Sequence, residues 1–131
     1  MSKFYLGSRS IENLRYVHPD LVRVVERAIE ITKIDFGVTE GWRTEEQQKV
    51  MVDSGKSTTM NSKHLMQDDG YAHAVDLYCR DFDGNVTWEH KWFRMVIQAV
   101  FTAAIELGVQ ITAGGLWRSF QDSPHFQIEV K

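Results

Sequence analysis

A chain of 131 residues with 43% hydrophobic and 25% charged content suits one globular unit with a single core, residues 1–131, and leaves no room for a second domain. A formal net charge of −3, with no run of Lys or Arg longer than two, excludes the electrostatic footprint of a nucleic-acid binder. With Cys79 as the only cysteine there is no intrachain disulfide and no cysteine-rich zinc pattern, so any metal site must draw on His, Asp and Glu.

In chain order, the first residues, MSKFYLGSRS, lack the apolar stretch of a secretory signal. No apolar run approaches the roughly 20 residues of a membrane span. The expectation is a protein made in a cytoplasm, without membrane insertion. HPDLVRVVERAIEI starts a helix at Pro19 and Asp20 and sets Leu21, Val24, Val25, Ala28 and Ile29 or Ile31 on one side, a core-forming pattern. FGVTEGWRT reads as a short strand running to a turn at Gly41. In TEEQQKVMVDSG, Thr44 is the expected N-cap, with Gln47 completing a capping box and Gly55 ending the helix. STTMNSKHLMQDDGY is polar and turn-rich, hence a loop, and it leads into AHAVDLYC, a strand.

DFDGNV makes a turn, and residues 88–107 give the longest helix, capped by Thr87 and Gly108, with Trp88, Trp92, Phe93, Val96, Ile97, Val100, Ala104 and Ile105 as its apolar set. VQITAG and HFQIEV supply two more strands. Helices early and in the middle, with most strands late, indicate an α+β fold.

Two strands decide which side chains can meet. In HFQIEV the period of two sends His125, Gln127 and Glu129 to one face, away from Phe126, Ile128 and Val130. In HAVDLYC it groups Ala74, Asp76 and Tyr78 against His73, Val75, Leu77 and Cys79. A mid-strand aspartate is disfavoured and costs several kcal/mol to bury alone, so Asp76 needs a cation or strong donors. A metal would meet that need. Among the remaining histidines, His18 and His90 sit at helix starts, where capping or solvation explains them. His73 falls on the strand face opposite Asp76, whereas His64 lies in a loop free to fold back over the strand.

These residues resemble a known family. SKHLMQDDGYAHAVDLY is similar to the Ser-x-His…Asp signature of the zinc-dependent D-alanyl-D-alanine carboxypeptidases and dipeptidases, and DSPHF to their acid-x-x-His signature. With EGWRT and GGLW in the same order, the closer likeness is to the phage endolysins of this group, the L-alanyl-D-glutamate peptidases. The resemblance implies a small antiparallel sheet packed against about three helices, as in hedgehog-like and D-Ala-D-Ala peptidase domains. It implies one zinc held by His64, Asp76 and His125, Asp122 as general base, and Arg43, Ser62 and Trp117 at the substrate. The partner implied is the peptidoglycan stem peptide. The enzyme would act as a monomer, made in the host bacterial cytoplasm and reaching the wall after release across the inner membrane. The pattern departs from the family in a loop longer by about five residues (QDDGY), in Ala72 for a glycine, and in Leu116 for an acid.

The chemistry is coherent beside the resemblance. Two imidazoles and one carboxylate leave zinc an open fourth position for water, as catalytic sites require. Pro124 stiffens the turn between Asp122 and His125. Arg43 offers a planar fork to a carboxylate or oxyanion, while the plainer reading makes it a surface partner of Glu45 or Glu46. Trp88, Trp92 and Phe93 are expected in the core, Trp117 near the cleft, and Cys79 as a buried inert thiol. The loop acids Asp68 and Asp69 are candidates for a second cation or substrate contact. The activity expected is hydrolysis of the L-alanyl–D-glutamate amide. The alternatives are a D-alanyl-D-alanine dipeptidase or carboxypeptidase, or a non-catalytic zinc-dependent wall-binding module.

Overall fold

The computed structural model describes residues 3–57, 59–116, 122 and 124–130. Its elements are α1 (Ser8–Asn13), α2 (Pro19–Ile31), β1 (Phe36–Glu40), α3 (Glu45–Asp53), β2 (Ala74–Arg80), β3 (Val86–Thr87), α4 (His90–Leu107), β4 (Ile111–Ala113), a 3-10 turn at Gly114–Leu116, and β5 (His125–Ile128). The fold is α+β, as the sequence indicates, with α1 as a fourth helix and β3 as an extra strand. The sheet is antiparallel in the order β1-β2-β5-β4, and β3 pairs with the far end of β2 at Cys79 and Arg80.

The sheet has one dry face. Along β2, Val75, Leu77 and Cys79 are fully buried, while Asp76, Tyr78 and Arg80 between them are partly exposed. The dry face packs with α2 and α4 in one core. α2 contributes Leu21, Val24, Val25, Ala28 and Ile29; α4 contributes Phe93, Val96, Ile97, Val100 and Ala103. His18 caps α2 as expected, its Nδ1 accepting from the Asp20 backbone N–H at 3.1 Å. The Thr44–Gln47 capping box of α3 also forms.

Three expectations along α4 need correction. The helix starts at His90 with Glu89 as N-cap, and Thr87 instead accepts from the Glu89 N–H through its hydroxyl. Trp88 therefore precedes the helix and is 58% exposed rather than part of the core. Ile105, expected on the apolar side, faces outward. Phe93 is fully buried, and Gly108 ends the helix in the left-handed conformation (φ 70°) that glycine adopts without strain.

The outer edge of β1 is closed by α1. Val38 donates its N–H to Ser10 Oγ (3.0 Å), and its carbonyl accepts from Asn13 Nδ2 (2.8 Å), so two side chains stand in for a neighbouring strand. A bulge between Val38 and Glu40 re-aims the end of β1, bringing Glu40 opposite Asp76. The open face of β2 thereby receives side chains from both flanking strands.

Candidate metal centre and active site

Strand register builds half of the centre. His125 stands opposite Asp76 across the β2–β5 pair, and Glu40 stands opposite the same aspartate across β1–β2. His125 Nδ1 lies 3.2 Å from Asp76 Oδ1. The other half comes from the loop after α3, which places His64 Nε2 3.2 Å from the same carboxylate oxygen. The two imidazoles meet edge to face, with ring centroids 5.2 Å apart. One donor atom from each of His64, Asp76 and His125 lies within 4.8 Å of the others, a group that can hold a metal ion. His73 does not join it, as the strand alternation predicted.

The segment Gly41–Arg43 holds His64 by backbone alone. The Gly41 carbonyl accepts from His64 Nδ1 (2.8 Å), and the Arg43 N–H donates to the His64 carbonyl (2.9 Å). A carbonyl oxygen can only accept, so Nδ1 carries the ring proton and Nε2 keeps its lone pair. That Nε2 is buried and has no hydrogen-bond partner. A ring nitrogen facing a carboxylate oxygen at 3.2 Å is repulsive unless a proton or a metal cation sits between them. The donor set therefore fits a divalent ion. Gly41 is required by crowding, because a Cβ there would lie 2.2 Å from the Asn13 carbonyl. Ser62 shapes the same loop, its Oγ accepting from the His64 N–H at 3.1 Å.

His125 is fixed by a chain the sequence reading did not single out. Its Nε2 donates to Gln127 Oε1 (2.9 Å), Gln127 Nε2 donates to Glu129 Oε1 (3.0 Å), and the same Glu129 oxygen accepts from Thr112 Oγ1 (2.8 Å). The carboxylate fixes which way the amide points, and the amide fixes which imidazole nitrogen is protonated, leaving Nδ1 to face Asp76. The available signal was the shared face of His125, Gln127 and Glu129.

Burial alone would raise the Asp76 pKa, but the imidazoles of His125 and His64 outweigh it and hold the carboxyl well below the usual range. Burial would lower that of His125, and the Asp76 carboxylate more than compensates, so His125 is raised. Asp122 is raised by burial and then by the charge of Asp76. Its position depends on Gly114: the Asp122 N–H donates to the Gly114 carbonyl (2.9 Å), and a Cβ on residue 114 would lie 2.3 Å from the Asp122 carbonyl. The Asp122 carbonyl in turn accepts from the His125 N–H (3.0 Å), and the Pro124 carbonyl accepts from the Leu77 N–H (2.8 Å), which fastens the turn to β2.

Arg43 is buried, not a surface residue, and its partners are Glu40 and Gln48 rather than Glu45 or Glu46. Gln48, fully buried, also reaches Ser57 Oγ (3.0 Å) and the Thr59 carbonyl (2.6 Å). Arg43 thus neutralises Glu40, which register places beside Asp76, and braces the loop carrying His64. Neither Glu40 nor Gln48 was singled out in the sequence: Glu40 gains its meaning from a non-local strand pairing, and Gln48 from a buried contact to Arg43 and the loop at Ser57 and Thr59.

The loop acid Asp69 is committed elsewhere: its Oδ2 is 2.7 Å from His73 Nε2 and 3.8 Å from His18 Nε2. His18 spends its Nδ1 lone pair on the α2 cap, so its Nε2 carries the proton and cannot ligate. Cys79 is inert as expected, with burial and then Asp81 pushing its thiol up to about 12. Leu116 is exposed, and Trp117 lies outside the described residues.

Comparison with known proteins agrees with this geometry. The family described as phage L-alanyl-D-glutamate peptidase matches residues 1–130. The L-alanyl-D-glutamate peptidase of Escherichia phage T5 is 30% identical over 132 residues, covering 98% of this chain and 90% of that protein. The crystal structure of the Serratia marcescens L-Ala D-Glu endopeptidase ChiX superimposes with a TM-score of 0.84 at 40% identity, covering 95% of this chain and 90% of that one. Full-length similarity, together with a His-Asp-His centre on the open face of the sheet, leads to one conclusion: the chain belongs to the phage L-alanyl-D-glutamate peptidase family.

Proposed function

We propose that the chain is a zinc-dependent endolysin that hydrolyses the amide between L-alanine and D-glutamate in the peptidoglycan stem peptide. The observation that carries this reading is the buried, unpartnered lone pair of His64 Nε2 facing Asp76 beside His125. His64, Asp76 and His125 would hold the zinc, which when bound would supply Lewis acidity at the scissile carbonyl and a water of lowered pKa, towards about 7.

Each residue of the chain then has a defined task. Asp122, fastened beside His125 by the turn at Pro124, takes the proton from the attacking water and delivers it to the leaving amine. Glu40 and Arg43 balance charge beside Asp76, and Arg43 is assigned the substrate contact that the family likeness implies. Ser62 holds the His64 turn, and Trp117 is assigned to substrate contact. No helix among the described residues is long and apolar enough to cross a membrane, and release to the wall is assigned to a separate membrane-opening component. We take the working form to be a monomer made in the host cytoplasm.

Digesting purified peptidoglycan and identifying the new amino terminus tests the bond. D-glutamate is expected, whereas free terminal D-alanine would point to carboxypeptidase action. Asp122→Ala should retain the metal while losing about 10²–10⁴-fold in rate. Unchanged lysis by this variant would reject the mechanism, and metal analysis of protein purified without chelator should return one zinc per chain.

A further inference from the structure

The open face of the sheet continues beyond the metal centre. Past Asp76, the next two same-face positions of β2 are Tyr78 and Arg80, and both line a cavity of about 420 Å³ bounded by Arg9 and Asn13 of α1, Thr39 of β1, and Trp88. This is within the roughly 300–1,000 Å³ range of small-molecule and cofactor pockets. Thr39 joins the two regions, its Oγ1 donating to the Asp76 carbonyl at 3.1 Å. At about 3.3 Å per residue, the cavity begins about 7 Å from Asp76 and reaches about 13 Å at Arg80. An extended peptide of three or four residues covers the same span.

The lining has a definite chemical character. Tyr78 lies flat against Gly37, where a Cβ would come within 2.5 Å of its ring, so a glycine on β1 is what lets the aromatic floor form. Trp88 is 58% exposed, its ring held by stacking on Phe93 with centroids 6.2 Å apart. Arg80 stands over the Tyr78 ring at 5.7 Å; its Nη1 donates to the Gly84 carbonyl (2.9 Å) and its Nε faces Asp35 at 4.0 Å. Arg9 has no ion pair among the described residues. The pocket thus offers two guanidinium groups, that of Arg80 over the Tyr78 ring, suited to an anionic group on a chain with some apolar surface.

We infer that this cavity is a subsite for a carboxylate of the stem peptide on the D-glutamate side of the scissile bond, with Arg9 and Arg80 receiving the charge and Tyr78 and Trp88 the chain. The inference rests on the peptidase reading above. Continuity with the metal centre through β2 and Thr39, and the match between the arginines and an acidic peptide, favour substrate as the occupant.

The test compares two synthetic substrates, a four-residue stem peptide and a truncated L-Ala-D-Glu whose γ-carboxyl is a simple amide, without the carboxylates of the later residues. Wild-type protein should prefer the longer one in kcat/KM, chiefly through KM. In Arg9→Gln that preference should fall about tenfold, the scale of one lost charge-assisted hydrogen bond. Trp88→Ala should act in the same direction. If both variants keep the wild-type preference, or raise KM equally for both substrates, the subsite is refuted while the peptidase reading stands. If wild-type protein loaded with zinc cleaves neither substrate, the peptidase reading itself fails, and the subsite with it.

Discussion

Replacing Gln127 by leucine isolates the contribution of an outer residue to metal binding. The side chain touches no reacting atom; it accepts the His125 Nε2 proton at 2.9 Å and is itself oriented by Glu129 at 3.0 Å. Leucine is of similar size but accepts nothing, so the His125 ring loses the contact that keeps its proton off Nδ1. Outer partners of metal-bound histidines are worth about 10–100-fold in affinity, or about 1.4–2.7 kcal/mol. Gln127→Glu combined with Glu129→Gln keeps an acceptor for His125 at residue 127 and an amide donor beside it, and should stay within about threefold of wild type, an estimate set by the same outer-partner scale. Competition between metal-free protein and a chromophoric zinc chelator gives the affinity directly. Thermal unfolding gives an independent reading: metal-free Gln127→Leu should melt close to wild type, while the stabilisation on adding zinc should shrink by about 5–10 °C, at roughly 4 °C per kcal/mol. Equal loss in the leucine variant and the double variant would show that packing, not proton placement, is what Gln127 provides. No loss in either would refute the argument.

Other perturbations follow from the same geometry. Gly114→Ala puts a Cβ 2.3 Å from the Asp122 carbonyl, so it should cost about 1–3 kcal/mol in a denaturant titration and depress hydrolysis more than zinc affinity. In the metal-free protein Asp76 is lowered, so its contribution is present above the unfolded value near 3.9 and is lost as pH falls towards its folded value. His125 is raised, so its contribution is complete below about 6.5 and is lost as pH rises through its folded value; a stability maximum between roughly pH 4 and 6.5 is expected in melts of metal-free protein. Zinc affinity should climb through the upper limit, because the ion replaces the His125 proton, and a flat profile would contradict the assignment of Nδ1 as ligand. In the metal-free protein the Asp122 carboxyl should titrate above its unfolded value, held there by burial and by the charge of Asp76, as carboxyl NMR would read.

What the sequence disclosed, and what it hid, follows how local each cause is. Alternation along HAVDLY and HFQI placed Asp76 and His125 on an open face, and the same rule set His73 aside, because strand facing depends only on neighbouring residues. Side-chain caps at His18 and Thr44 were legible for the same reason. The partners of Arg43 were hidden, since Glu40 gains its place beside Asp76 from a bulge and a pairing between distant segments. Helix α1 was missed because SRSIEN has no apolar stripe; what it offers is Ser10 and Asn13 to the β1 edge. Trp88 was misplaced because helical periodicity was extended two residues past the true start at His90, and that residue proved to wall a cavity rather than fill the core.

Core and centre are built by one alternation, which allows them to be separated experimentally. A slip of one residue in β2 would turn Asp76 into the dry layer and Val75 into the site, so the fully buried Val75, Leu77 and Cys79 act as the register lock for the candidate ligand between them. Leu77→Ala leaves the pairing intact, because Leu77 reaches the site only through its backbone N–H, which donates to the Pro124 carbonyl at 2.8 Å. The variant should therefore lose about 2–5 kcal/mol of stability to the cavity it creates. Below its lowered melting temperature its zinc affinity should remain within about threefold of wild type, well short of the loss expected from an outer ligand partner. Denaturant titration and chelator competition on the same preparation measure the two quantities. A fall in zinc affinity as large as that of Gln127→Leu would mean that the centre is held by the packing beneath it rather than by register and hydrogen bonds.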